Sequence, residues 1–308
     1  CNSRCTMCDI WKIKDSPELD PAEFLKLPSS LRDINLSGGE PFLYKNLVEV
    51  VKNLKISAPR ARLIISSNGF ATDLIVKKMK EILVVSPQIG VAISIDGIGE
   101  MHDEIRGIPG GFEKAIGTIK ELKKLGMKNL RLAFTVMGKN VNHFSKVYEL
   151  SRELGVQFTH SFAQSSEFYF GGKQNVESLS RDLLVKQYEY IIGAELKSWN
   201  FKRWARGWYA AGMFKFITSH NPMLSNAPGR DFFFVDPSGD IYPSVVHNVI
   251  MGNVSKIKSA AEFAQFWCSE EVDKMREKTD GLKIPVWMIC TARTAIKKHP
   301  FSAGWWLL

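Results

Sequence analysis

The chain contains few cysteines and no long apolar run. Only five of its 308 residues are cysteine, and no stretch approaches the roughly 18 apolar residues of a membrane-spanning helix. A charged segment followed by an apolar one, which marks a secretory leader, is also missing. An odd cysteine count does not predict a secreted disulfide scaffold. We therefore expect a cytoplasmic protein in a reducing compartment, without a membrane span.

The chain also has no acidic excess, no low-complexity segment and no solenoid repeat. Its net charge is +9, from 41 Lys and Arg against 32 Asp and Glu, but the basic residues are scattered along predicted helices, as at Lys77, Lys78, Lys123 and Lys124. A solvated surface explains this pattern, so nucleic-acid binding is not expected. A length of 308 residues with 45% hydrophobic residues is enough for one large domain or two modest ones.

Three of the five cysteines, Cys1, Cys5 and Cys8, lie within the first eight residues, spaced C-x3-C-x2-C. Soft thiolates select iron–sulfur clusters, zinc or copper(I). The remaining cysteines, Cys268 and Cys290, are far along the chain, so no fourth thiolate is near the triad. A cubane cluster normally takes four cysteines, so a triad would leave one iron open to a small molecule. A zinc site completed by a distant histidine and three metal-free thiols remain alternatives.

Short apolar runs alternate with helix-length amphipathic stretches from residue 31 to about 163, which predicts repeated β–α units and a parallel sheet. Strands are predicted at 32–37, 62–66, 90–95, 130–136 and 156–162. Helices are predicted at 43–56, 72–85, 111–126 and 142–155, with Gly126 and Gly155 as helix-ending residues.

Polar or glycine-rich residues follow every predicted strand. They lie at 37–41, 66–69, 94–97 and 135–140, and at His160 and Gln164. Because ligands of parallel α/β folds bind at the carboxyl ends of the strands, we expect these residues to form one functional rim.

The second half of the chain has a different pattern. Residues 177–220 are predicted to be helical, and the aromatic stretch from Trp199 to Tyr209 is interpreted as core, with a substrate groove as the alternative. Residues 232–243 predict a β-hairpin around Asp236 to Asp240, and a helix is predicted at 259–277.

The order of these motifs over residues 1–165 resembles that of radical S-adenosylmethionine (radical SAM) enzymes. The triad is followed by Gly38-Gly39-Glu40-Pro41, then Asn68-Gly69, then Ser94 and Asp96. The resemblance implies that Cys1, Cys5 and Cys8 hold a 4Fe–4S cluster. Its open iron would bind S-adenosyl-L-methionine (SAM), whose reductive cleavage gives a 5′-deoxyadenosyl radical that takes a hydrogen atom from substrate.

The resemblance also assigns a set of SAM-binding residues. They are Gly38, Gly39, Glu40, Asn68, Ser94, Asp96 and Arg106. Glycines allow close backbone approach, Glu40 suits a ligand ammonium, Ser94 and Asp96 share one strand face toward ribose hydroxyls, and Arg106 is expected at the methionine carboxylate. A tight turn, a helix N-cap at Asp96 and a solvated Arg106 are the structural alternatives.

The C-terminal part resembles, more weakly, the SPASM or twitch extension of many such enzymes. Ser244 stands where those proteins usually carry cysteine, and Cys290 lacks a C-x2-C partner. Serine is too hard a ligand to replace a thiolate in a cluster. We therefore expect no auxiliary cluster, and the extension is described as degenerate.

These observations combine into one expected organisation. The fold is predicted to be α/β, a partial (β/α)6-type barrel with parallel strands, plus a small α+β twitch-like subdomain. The expected parts are residues 1–170, with a first strand before Cys1, a helical connection at 171–221 and the subdomain at 222–308.

The predicted function is radical SAM chemistry driven by an external reductant such as flavodoxin or ferredoxin. A peptide or protein substrate is favoured over a sugar, nucleoside or lipid, and no catalytic side chain is assigned. An iron–sulfur protein that carries electrons or binds ligands without SAM chemistry is the alternative from another class.

Overall fold

A five-stranded parallel sheet forms the centre of the N-terminal half. The structure is a computed structural model that describes residues 1–175 and 179–299, apart from the side chains of Cys290 and Lys297. The strands are β1 (Asp33–Leu36), β2 (Arg62–Ser67), β3 (Gly90–Ser94), β4 (Leu130–Val136) and β5 (Gln157–Phe162). They lie in chain order, and every neighbouring pair is parallel. All five predicted strands are confirmed, and the sheet curls into the predicted partial barrel.

Helices connect the strands along one face of the sheet. They are α1 (Leu47–Ser57), α2 (Thr72–Val85), α3 (Glu100–Arg106), α4 (Gly111–Lys124) and α5 (Phe144–Glu153). The short α3 was not predicted, because seven residues show too little apolar periodicity. Gly126 and Gly155 have positive φ angles of 79° and 64°, as the predicted helix-ending positions require.

The two faces of the sheet differ in chemistry. On β2, Leu63 and Ile65 are buried, whereas the alternate residues Ile64 and Ser66 are half-buried. Strand alternation therefore directs the apolar set toward the helices and leaves a more polar concave face.

The rest of the described chain is mainly helical with one small sheet. The helices are α6 (Arg181–Leu196), α7 (Phe201–Ser219), α8 (Ala260–Trp267), α9 (Glu270–Gly281) and α10 (Ile289–Lys298), and the antiparallel strands are β6 (Phe234–Val235), β7 (Asp240–Tyr242) and β8 (Gly252–Asn253). The pairing of β6 with β7 confirms the predicted hairpin.

Two expectations for this half were wrong. The single helix predicted at 259–277 is two helices, because the Ser269 side chain accepts a hydrogen bond from Val272 N and begins α9 there. The aromatic stretch is only partly core: Trp208 and Tyr209 are buried, but Trp199, in the turn between α6 and α7, is 98% exposed.

Other expectations fall partly beyond the described residues. The helical stretch expected at 177–220 includes the undescribed residues 177 and 178, and the subdomain expected at 222–308 includes the undescribed residues 300–308. The division of the chain into three parts stays a prediction. No described helix is both long and apolar enough to cross a membrane.

Candidate cofactor site

Backbone hydrogen bonds anchor the loop that carries the three cysteines. Arg4 N donates to Arg106 O at 2.8 Å and Thr6 N to Ile105 O at 2.9 Å, both at the end of α3. On the other side, Asp9 N donates to Phe170 O at 2.8 Å. The cysteine loop therefore lies between the end of α3 and the segment that follows β5.

The cysteine side chains are free thiols of unequal exposure. Cys1 is exposed, and Cys5 and Cys8 are half-buried. Cys5 Sγ lies 3.0 Å from Ser3 Oγ and 3.5 Å from Arg106 Nη1, which donates to it. Burial raises the pKa of the Cys8 thiol, although the Ile10 backbone N–H opposes that shift. Three soft sulfur donors in one loop fit an iron–sulfur cluster by their chemistry.

The spacing of the thiols is not that of a single-ion site. Within the described residues, no three His, Cys, Asp or Glu side chains lie close enough together to hold one metal ion. A 4Fe–4S cluster binds its thiolates on separate irons, so its cysteines need not converge on one point.

The end of β1 lies directly against the cysteine loop. Gly38 has a φ of 128°, which side-chain-bearing residues rarely adopt. A Cβ added at Gly39 would lie 3.3 Å from Cys1 Cβ. Gly39 therefore allows the strand end and the first cysteine to approach closely, and Gly38 supplies the backbone conformation of the turn before it.

Glu40 is the buried acid of this strand end, with 6% of its surface exposed. Its Oε1 accepts from Ser67 Oγ at 2.9 Å and from Phe42 N at 3.2 Å, and its Oε2 accepts from Asn68 N at 2.8 Å. Burial raises the pKa of Glu40, and these three donors oppose the shift. A carboxylate offers about four acceptor positions, so room for one more donor remains.

Asn68 connects the end of β2 to the cysteine loop. Its Nδ2 donates to Asn2 Oδ1 at 2.7 Å, and its Oδ1 accepts from Phe70 N at 3.0 Å. The end of β2 is thus in direct contact with the cysteine loop. The rim prediction was wrong for His160, which is buried among Phe144, Phe158 and Tyr188, because strand alternation turns it to the helix side of the sheet.

Asp96 and Arg106 form a buried ion pair. Asp96 is fully buried, its Oδ1 accepts from Thr135 N at 2.7 Å, and its Oδ2 pairs with Arg106 Nη2. Burial lowers the pKa of Arg106, but Asp96 and Cys5 outweigh it and raise that pKa above its usual value. Asp96 does not cap α3, which begins after Gly99. Ser94, half-buried at the end of β3, lies nearby in sequence.

The structure therefore gives Arg106 two partners that the sequence did not indicate, Asp96 and Cys5. The predicted contacts of Asp96 with ribose hydroxyls and of Arg106 with the methionine carboxylate stay predictions.

Two further residues join this region without having been predicted. The Tyr169 hydroxyl lies 2.7 Å from Ser37 Oγ, and Asn175 Nδ2 donates to Met7 O at 3.0 Å and to Gln164 O at 2.9 Å. Ser67, which lies within the predicted rim segment 66–69, donates to Glu40. The Gly171-Gly172 pair after the last predicted strand was the one available signal for the segment carrying Tyr169 and Asn175.

Where a SPASM-type protein would carry cysteine, Ser244 is buried and its Oγ lies 2.8 Å from His247 Nδ1. Cys268 is an exposed free thiol, and the side chain of Cys290 lies outside the described part of the chain. The expectation of a single cluster stays a prediction.

Comparison with known proteins now defines the class. Residues 1–150 match the radical SAM superfamily. Pre-heme d1 synthase of Dinoroseobacter shibae is 24% identical over 92% of this chain and 75% of that protein. Fe-coproporphyrin III synthase of Methanosarcina barkeri is 32% identical over 50% of this chain and 39% of its own length. The sporulation killing factor maturation protein SkfB of Bacillus subtilis is 30% identical over 50% of this chain and 38% of its own length. The chain thus spans well under half of these last two relatives.

A solved structure described as native anSMEcpe with bound AdoMet shares the fold. Its TM-score is 0.63 at 16% identity, over 89% of this chain and 79% of that one. This likeness shows the fold alone, whereas the family match identifies residues 1–150 as a radical SAM domain. Members of this superfamily are enzymes that use a 4Fe–4S cluster and SAM as cofactors.

Proposed function

We propose that this protein holds one 4Fe–4S cluster on Cys1, Cys5 and Cys8 and binds SAM at the adjoining strand ends. The observation that carries this proposal is the contact between the two sets of residues. The Gly39 backbone lies against Cys1, and Asn68 is hydrogen-bonded to Asn2. A ligand on the open iron would therefore lie beside Gly38, Gly39 and Glu40.

The residues at the ends of β1 and β2 would bind the methionine part of SAM. Gly38 and Gly39 give access to backbone groups, and Glu40 keeps an acceptor position for the methionine ammonium while Ser67 and Asn68 fix its orientation. Asn68 holds the cysteine loop against the rim.

At the end of β3, Ser94 would hydrogen-bond the ribose hydroxyls, and the fully buried Asp96 would hold Arg106 in place beside it. Arg106 balances the Asp96 charge and donates to Cys5 Sγ. A bound cluster would supply one electron to SAM, which would split into methionine and a 5′-deoxyadenosyl radical able to take a hydrogen atom from the substrate.

Anaerobic reconstitution tests the proposal. We expect about four irons per chain, the broad absorption of an iron–sulfur protein, and conversion of SAM to 5′-deoxyadenosine and methionine under dithionite. Alanine at Cys1, Cys5 or Cys8 abolishes both cluster and product, whereas Cys268→Ala, which changes an exposed cysteine outside the triad, retains them.

Glu40→Gln separates SAM binding from cluster binding. The variant retains iron but binds SAM more weakly, because the buried carboxylate no longer balances the ligand ammonium. An intact cluster without 5′-deoxyadenosine in the wild type, or zinc as the bound metal, would overturn the proposal.

A peptide or protein is the substrate class proposed from the sequence, and SkfB, by its name, is a maturation protein. A tetrapyrrole is a second candidate, because the relative matching 92% of the chain is named pre-heme d1 synthase. Deuterium transfer from labelled peptide or tetrapyrrole into 5′-deoxyadenosine, measured by mass spectrometry, distinguishes the two. An external reductant, flavodoxin or ferredoxin, and a cytoplasmic location complete the proposal.

A further inference from the structure

The sulfur of Cys5 has polar side chains around it. Its Sγ lies 3.0 Å from Ser3 Oγ, and Arg106 Nη1 donates to it at 3.5 Å. The surroundings of the other two cysteines differ, because Cys8 accepts from a backbone N–H and Cys1 is exposed. The environment of Cys5 can therefore be changed by substituting a side chain next to it.

Ser3 is fixed in place beside this sulfur. Only 1% of its surface is exposed, and its Oγ donates to Arg106 O at 3.0 Å. Its carbonyl oxygen accepts from Arg4 Nη1, also at 3.0 Å. A serine hydroxyl has one proton, so Ser3 can donate to Arg106 O or to Cys5 Sγ, but not fully to both.

Metal binding by Cys5 decides which of the two acceptors Ser3 serves. A free Cys5 thiol can donate its own proton to Ser3 Oγ, while Ser3 donates to Arg106 O. A cysteine that binds metal is a thiolate without a proton, so the hydroxyl must then donate to the sulfur. This change leaves the carbonyl paired, because Arg106 O also accepts from Arg4 N at 2.8 Å.

We propose that Ser3 donates a hydrogen bond to the Cys5 thiolate and thereby raises the reduction potential of the cluster. The inference rests on the proposed function, which makes Cys5 a cluster ligand. Reduction adds one electron, taken from the external flavodoxin or ferredoxin, and a donor at a ligand sulfur stabilises the more negative, reduced form. Ser3 is thus a positioning residue that acts through Cys5 and makes the cluster easier to reduce.

Redox titration of the reconstituted full chain, followed by electron paramagnetic resonance of the reduced cluster, tests this role. At the midpoint potential of the wild type, we expect Ser3→Ala to lower the ratio of reduced to oxidised cluster by at least about threefold, which corresponds to a shift of about 30 mV to more negative potential. Ser151→Ala is the matched control. Ser151 is also 1% exposed and its Oγ also donates to a carbonyl oxygen, that of Tyr148, but it lies on α5. Its loss should leave the potential unchanged.

A second pair of variants keeps the test decisive if alanine loosens the cysteine loop. Ser3→Thr and Ser3→Val have nearly the same shape, and only threonine carries a hydroxyl, so we expect the higher potential in Ser3→Thr. Equal potentials in wild type and Ser3→Ala, or an equal shift in Ser151→Ala, overturn the inference and leave the proposed function intact. A wild-type chain that assembles no cluster overturns the proposed function and the inference with it.

Discussion

At the scale of single residues, the candidate site depends on buried charges whose partners are fixed. Glu40 and Asp96 are both buried, and backbone N–H groups donate to each of them. Asp96 has in addition a cationic partner, Arg106, which also contacts Cys5. The orientation of the cysteine loop is thereby coupled to that of a strand end.

Arg106→Gln is expected to destabilise the protein by about 3–5 kcal/mol, because it leaves Asp96 buried without its countercharge. Adding Asp96→Asn in the same chain should recover part of that loss, since neither charge then remains. Chemical denaturation of the cluster-free protein measures the cycle. Strictly additive losses in the double variant would contradict a coupled pair.

At the scale of elements, the segment between β5 and α6 connects the cysteine loop to the small antiparallel sheet. Phe168 stacks on Tyr242 with ring centroids 4.2 Å apart, and Ser166 Oγ donates to Val245 O at 2.7 Å. A few residues on, Phe170 O accepts from Asp9 N. The contacts made by this segment therefore position the loop that carries the thiols.

Gly171→Ala is expected to disturb cluster binding through packing alone. A Cβ there would lie 2.5 Å from the carbonyl carbon of Asp9, whereas one at Gly172 would find its nearest neighbour at 3.5 Å. Both glycines have positive φ, so backbone strain of about 1–2 kcal/mol is common to the two variants. Iron retention after reconstitution should fall in Gly171→Ala and much less in Gly172→Ala; equal retention would refute this role.

At the scale of the whole molecule, the segment between α9 and α10 packs on α7, which in turn contacts β5 of the central sheet. Trp287 is fully buried against Trp208 of α7, with ring centroids 5.6 Å apart. Gly212 allows this contact, because a Cβ there would lie 2.7 Å from the Trp287 ring. On β5, His160 O accepts from the hydroxyl of Tyr209, also on α7, at 2.8 Å.

Trp287→Ala is therefore expected to cost about 3–5 kcal/mol. Leu282→Ala, at a position 44% exposed in the same part of the chain, should change stability by no more than about 0.5 kcal/mol. Urea unfolding followed by far-ultraviolet circular dichroism measures both. We expect Trp287→Ala to unfold in one cooperative transition at a lower urea concentration than the wild type. A separate early transition in this variant would indicate that the C-terminal helices unfold independently.

Local patterns were sufficient to predict much of this protein. Strand and helix periodicity gave the five parallel strands and their helices, because alternation and 3.6-residue repeats are properties of neighbouring residues. The triad and the strand-end residues defined the family, since thiolate chemistry and the carboxyl ends of parallel strands restrict where ligands bind.

Tertiary structure decided the partners of those residues. Two contacts join residues from distant segments: Arg106 pairs with Asp96 and Cys5, and Asn175 holds the cysteine loop. No periodicity records such contacts, because burial and charge pairing depend on how whole elements pack. The sequence alone therefore determined the fold class and the family, because both follow from local patterns, whereas the packing of the chain determined which buried charges have partners.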